Sequence, residues 1–157
     1  MSPTRIRFGE RIGKEGRLRV SSSAVIFDDS REKILLTRRK DNGLWCLPSG
    51  GMVAGESASE TCIREVLEET GLVVQVTHLI GVYTSPNWLI EYADGSRAQA
   101  VAFCFEVEVV GGEEQMRNEV GDMNYFSLAE IEKLELMANH RQRILDAFED
   151  QREAFIR

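Results

Sequence analysis

Three features of the sequence predict a layered fold of mixed strands and helices, an α/β or α+β sandwich. Long runs rich in Val, Ile and aromatics lie on both sides of one amphipathic stretch. That stretch carries its own start and stop signals, and the chain closes with further helical pattern. "LRVSSSAVIFDD" reads as a strand, "DDSREK" as its turn and "KILLTRRK" as the return, so an antiparallel hairpin is expected. "DNG" and the proline and glycines of "LWCLPSGG" then interrupt regular structure.

From Ser57 to Thr70 the period becomes helical, with Ile63, Val66 and Leu67 recurring at i, i+3 and i+4 as an apolar stripe. Ser57 and Glu60 have capping-box spacing, and Gly71 is the expected stop. "LVVQVTHLIGVYTS", "AQAVAFCFEVEVV" and the shorter "MNYFSL" read as strands, with "SPNWLIEYADGS" as a loop between the first two. "SLAEIEKLELM" and "NHRQRILDAFEDQREAFIR" read as helices, the second with Ile144, Leu145 and Phe148 on one side. No repeat, low-complexity segment or linker marks a boundary. Residues 1–157 are therefore expected to form one domain, with 1–17 as an arm or edge strand.

A net charge of −7 argues against binding a nucleic acid polymer, and an anionic substrate would need metal ions or clustered Arg and Lys. No run approaches the roughly 20 apolar residues of a membrane span, nor is there a signal-peptide core, so a cytoplasmic protein is expected. Cys46, Cys62 and Cys104 are widely spaced among apolar neighbours and read as buried free thiols. The basic residues crowding the amino end, Arg5 to Arg19, read as a solvated edge, with a phosphate or partner contact as the alternative.

The helix poses a problem, because Glu65, Glu68 and Glu69 stand at i, i+3 and i+4 on one face. Like charges so spaced repel by about 0.2–0.5 kcal/mol per pair. Solvent alone can tolerate that, and an acidic face is ordinarily only a solvated face. Converging hard oxygens are equally what Mg²⁺ or Mn²⁺ accepts. "SGGMVAG" lets backbone approach the helix closely, and Arg64 has the spacing to pair with Glu60 or Glu68.

The stretch resembles the Nudix box, G-x5-E-x7-R-E-U-x-E-E-x-G-U, with U a bulky aliphatic residue. It reads here Gly50, Glu56, Arg64, Glu65, Val66, Glu68, Glu69, Gly71 and Leu72. A chance match is on the order of 10⁻⁷ from average residue usage, which disfavours the solvated-face reading. "LWCLPSGG" resembles the family's W-x-x-P-G-G entry, with Ser49 as a departure. The resemblance covers about residues 18 to 135.

It implies a Nudix-type α/β/α sandwich with a mixed central sheet, and a divalent-metal-dependent pyrophosphohydrolase. The substrate would be a nucleoside diphosphate linked to another moiety. By resemblance, Glu65, Glu68 and Glu69 hold Mg²⁺ or Mn²⁺ with a backbone oxygen at Gly50, Arg64 orients the acids, and Glu56 supports them from behind. Glu119, favoured over Asp122, supplies the general base in the loop before "YF", while Glu113 and Glu114 face solvent. Arg38 or Arg39 meets a phosphate, with strand alternation allowing only one of them. Trp45 stacks on a base or packs under the glycine loop, Trp88 is a weaker stacking candidate, and His78 and His140 are structural and surface residues. Pro86, fifteen residues after Gly71 in "TSPN", nearly matches the proline of members that cleave ADP-ribose. The rival readings are a housecleaning nucleoside triphosphate pyrophosphohydrolase and a non-catalytic Nudix-fold sensor. Dimers are frequent in the family, so a homodimer is one expected assembly.

Overall fold

The computed structural model describes residues 2–117 and 119–157. The amino-terminal half contains strands β1 (Arg5–Phe8), β2 (Arg17–Ile26), β3 (Lys33–Arg39), β4 (Trp45–Cys46) and β5 (Ser49–Gly51), then helix α1 (Ala58–Thr70). The other half contains β6 (Leu72–Tyr83), β7 (Trp88–Glu91), β8 (Arg97–Gly112), β9 (Val120–Ser127), α2 (Leu128–Ile131), α3 (Ala138–Phe148) and β10 (Phe155–Ile156).

The long apolar run of β8 forms the spine of a mixed sheet. It pairs in parallel with β2 along its first part and antiparallel with β6 and β7 on its other edge. The sheet order is β1-β7-β8-β2-β5, with β6 joined to β8 and β10 joined to β6. A smaller sheet orders β4-β3-β9. Side-chain alternation divides the core into two layers. Ala24, Ile26, Phe105 and Val107 face Cys62 and Val66 of α1, while Val25, Ala102 and Cys104 face Ile144 and Ala147 of α3. Full burial of a side chain such as Val66 stabilises by about 1.5–3 kcal/mol. The result is the expected α/β/α sandwich with a mixed sheet. No helix of the described residues is long and apolar enough to cross a membrane. All three cysteines are free and buried.

Helix α1 begins where its sequence says it should. The Ser57 side chain accepts from the Glu60 N–H, Glu60 accepts from the Ser57 N–H, and Gly71 closes the helix at φ 76°. The buried stripe differs from the expected one. Leu67 is 40% exposed, and Thr61, Cys62, Val66 and Thr70 take the inner face. Thr70 can be buried because its hydroxyl donates to the Val66 carbonyl at 2.7 Å.

The expected hairpin between β2 and β3 is reduced to one bridge, Phe27 to Ile34. Its turn forms, with Asp28 accepting from the backbone of Glu32 and Lys33, but the two strands diverge into different sheets. The second half of strand β2 is buried on both faces, with β8 along one edge and β5 on the other over Ser21–Ser23. The "NWLIEY" segment, expected as a loop, supplies β7, and β1 adds to it at the sheet edge. The tail is less helical than its pattern. Helix α2 stops after one turn because Trp45 captures the following backbone, donating to the Glu135 carbonyl and accepting from the Met137 N–H. Beyond Phe148 the chain turns extended, and β10 pairs in parallel with β6.

Candidate active site

Strand β5 lies beside β2, with Gly50 opposite Ser22, and carries the glycine segment across the acidic face of α1. The approach is so close that a Cβ on Gly50 would stand 2.0 Å from the Glu65 carboxyl carbon. Only glycine leaves room for that carboxylate. Glu69 is tied from the same segment, accepting from the Ser49 N–H at 3.2 Å.

Arg64 supplies an internal countercharge. Its guanidinium meets Glu65 at 2.7 Å, Glu68 at 3.2 Å, the Gly51 carbonyl at 3.0 Å and both carboxylate oxygens of Glu56. Its expected alternative partner, Glu60, is engaged in the capping box instead. Glu56 also accepts from Val53 N–H and the Thr61 hydroxyl, and the Arg64 contact above all holds its carboxyl down at about 2. Glu65 and Glu69 behave oppositely. Burial raises Glu65 despite Arg64, and burial pushes Glu69 up to about 8, against the opposing Ser49 hydrogen bond.

One cavity of about 280 Å³ gathers these groups. Glu65, Glu68, Glu69, Glu119, Arg38 and Arg39 all line it, together with Ser49, Gly50 and Gly51. Asp122 is not among its lining residues. Alternation was expected to admit only one of Arg38 and Arg39, yet both reach the cavity. The β3–β9 ladder shifts register at this end, with Arg38 opposite Asp122 and Arg39 opposite Val120, so that Gly121 of β9 is the extra residue of a bulge beside the cavity. Arg38 donates to the Gly43 carbonyl, and Arg39 pairs with Asp41 at 2.8 Å, holding that carboxyl down at about 2.

The donor set suits a hard divalent ion in kind: carboxylates on one wall, with backbone that only glycine can bring so near. Among the described residues, no three acidic, His or Cys side chains already form a closed cage. Arg64 explains the spacing, since it draws Glu65 and Glu68 to itself while Ser49 holds Glu69.

A model of the NUDIX domain matches residues 17–148. The chain belongs to the Nudix family. It is 35% identical over 118 residues to an ADP-ribose pyrophosphatase of Methanocaldococcus jannaschii, covering 73% of this chain and 65% of that one. A Bacillus subtilis protein named for a proposed 8-oxo-dGTP diphosphatase activity is 47% identical over 64 residues, 41% of this chain and 43% of its own. The chain thus spans less than two-thirds of either relative's length. A NUDIX hydrolase structure from Nitrosomonas europaea superposes with a TM-score of 0.71 at 28% identity, covering 88% of this chain and 94% of that one.

Outside the Nudix box, several expectations change. Trp45 is a core residue, 9% exposed and edge-to-face with Phe126 at 4.9 Å, and it lines neither this cavity nor its neighbour. It packs in the core layer with Leu36, Leu47 and Ile144. His140, expected at the surface, is buried and accepts from the Leu47 N–H at its Nδ1. His78 is exposed, and Trp88 packs edge-to-face on Phe8.

Sequence reasoning missed a second cavity of about 240 Å³, which shares Arg19, Arg39 and Ser49–Gly51 with the first. Its far wall is Asn139, His140 and Arg143 of α3, with Tyr92 stacked under Arg19 at 4.7 Å. One signal was available: Arg143 directly precedes Ile144 and lies three residues after His140, a charge on the apolar side of the helix.

Proposed function

We propose that the protein is a divalent-metal-dependent pyrophosphohydrolase acting on a nucleoside diphosphate linked to another moiety, with ADP-ribose as the first candidate. The observation that carries this reading is the meeting of Glu65, Glu68, Glu69 and Glu119 with Arg38 and Arg39 in one cavity. The relative named as an ADP-ribose pyrophosphatase and the position of Pro86 support the choice of substrate.

Glu65, Glu68 and Glu69, with a backbone oxygen at Gly50, would hold Mg²⁺ or Mn²⁺. When bound, such an ion would neutralise the diphosphate, polarise the attacked phosphorus and acidify the attacking water. Arg64 keeps Glu65 and Glu68 on the cavity wall and Glu56 fixes Arg64 in turn, so the acids are oriented before substrate arrives. Arg38 or Arg39 donates to a phosphate oxygen. Glu119 accepts the proton of the attacking water. Residues 1–157 work as one domain, because strands β2 and β8 contribute to both core layers.

A panel of nucleotides with Mg²⁺, scored by released product, tests the reading. ADP-ribose is expected to give AMP and ribose phosphate, and chelation with EDTA is expected to stop turnover until Mg²⁺ or Mn²⁺ is restored. Monophosphate plus pyrophosphate from triphosphates would move the assignment to the housecleaning reading. No cleavage of any phosphoanhydride with either metal would overturn the enzymatic one.

A further inference from the structure

The polar groups at the head of α3 are buried without the partners that burial demands. Arg143 is 3% exposed, forms no ion pair among the described residues, and has an unpartnered Nε. The Tyr83 ring, 5.6 Å from the guanidinium carbon, offsets part of the charge but offers it no hydrogen-bond acceptor, and burial lowers the pKa of the group. Its nearest polar neighbour offers no relief. The Leu47 N–H donates to Nδ1 of His140, so that nitrogen is unprotonated, and burial keeps the ring neutral. The ring proton therefore sits on Nε2, which faces Nη1 of Arg143 at 3.5 Å. Two donors look at each other across a gap with no acceptor between them. One turn away, the buried Oδ1 of Asn139 is an acceptor without a donor.

All three residues line the cavity that continues from the acidic one across Ser49–Gly51. On its other side that cavity adjoins a third, of about 180 Å³, walled by Tyr83, Trp88, Ile90 and Ala100 and again by Asn139 and Arg143. A ligand that satisfied these atoms would bring an oxygen acceptor to His140 and Arg143, negative charge to offset the guanidinium, and a hydroxyl or amide donor to Asn139. A phosphate esterified to a sugar has all of these.

We infer that the head of α3 is a phosphate subsite, in which His140 and Arg143 donate to the diphosphate at its end away from the acids and Asn139 accepts from a hydroxyl of the adjoining sugar. This rests on the pyrophosphohydrolase reading and gives it a direction. The substrate lies over Ser49–Gly51, with the scissile side at Glu65 and Glu69 and the attached sugar leading toward Tyr83 and Trp88.

Arg143→Met, similar in length and without charge, tests the assignment. With EDTA present to keep metal out, inorganic pyrophosphate is expected to raise the melting temperature of the wild type and leave the variant unmoved. Without ligand, the variant is expected to melt no lower than the wild type, because a buried unpaired charge is gone. On the best substrate of the nucleotide panel, KM is expected to rise about thirtyfold with kcat nearly unchanged, and Arg143→Lys to recover part of the loss. Should Arg143→Met not fold, Arg143→Lys and Asn139→Ala carry the same measurements, each with a raised KM expected. An unchanged KM, an equal pyrophosphate shift in variant and wild type, or no shift in the wild type would overturn the subsite. If no nucleotide is cleaved yet the pyrophosphate shift appears only in the wild type, the hydrolase reading fails and the subsite stands.

Discussion

Glu69→Gln is expected to lower kcat for the nucleoside diphosphate substrate by roughly a thousandfold or more, since Lewis-acid chemistry supplies several kcal/mol and each 1.36 kcal/mol is about a factor of ten. The amide keeps the size of the side chain and can still accept from the Ser49 N–H, so the loop it anchors should hold. What disappears is the negative charge. Metal-free stability gives an independent readout. Burial raises the Glu69 carboxyl from 4.5 to about 8, so the folded state prefers it protonated. That preference stabilises fully below about pH 4.5 and is lost as pH rises through about 8. In EDTA, the wild type should therefore lose stability across that window, and Glu69→Gln should lose less. Melting curves against pH, beside steady-state turnover, check both halves. Activity within a few-fold of wild type would remove Glu69 from the reaction.

Gly50→Ala should separate fold from site more cleanly. An added methyl would lie 2.0 Å from the Glu65 carboxyl carbon and 2.2 and 2.3 Å from its oxygens, so that carboxylate must move. It is the far end of a flexible side chain that can swing with its Arg64 partner, and the backbone at Gly50 needs no left-handed conformation, so melting should change little. Displacing one acid by an ångström or more should reduce kcat by about a hundredfold. Gly51→Ala is the contrast: its methyl would meet the Arg19 guanidinium at 2.9 Å rather than an acid, and the loss should be smaller. Equal losses for the two variants, or a Gly50→Ala protein with full activity, would show that the close approach to Glu65 has no part in turnover.

What could be read from the sequence was local. The capping box at Ser57 and Glu60, the stop at Gly71 and the convergence of Glu65 and Glu69 each depend on residues within a few positions of one another. Features set by distant partners escaped. Trp45 is taken into the core by Phe126 and the backbone of Glu135 and Met137, none of them visible from "LWCLPSGG". His140 is buried because Leu47 offers it a backbone donor from far along the chain. Arg38 and Arg39 share a cavity beside a bulge at Gly121 of β9, which the pattern of β3 alone does not show. Arg143 was not singled out in a tail rich in charge, and only packing shows that it is buried with no carboxylate partner among the described residues.

The parallel pairing of β2 with β8 bears on the order in which the molecule assembles. Arg17 faces Ala98 and Ile26 faces Val107, so this ladder must close a chain segment of about 80 residues before it gains any contact. Antiparallel β6 and β8 meet across a much shorter span, Tyr83 against Ala102, and should dock early. Because β5 hangs on β2, the glycine backbone reaches Glu65 only once the slowest ladder has zipped. Partly folded chains would then have a formed β6–β8 pair and no usable acid cluster, an order that pulse-labelled amide exchange would refute if β2 gained protection first.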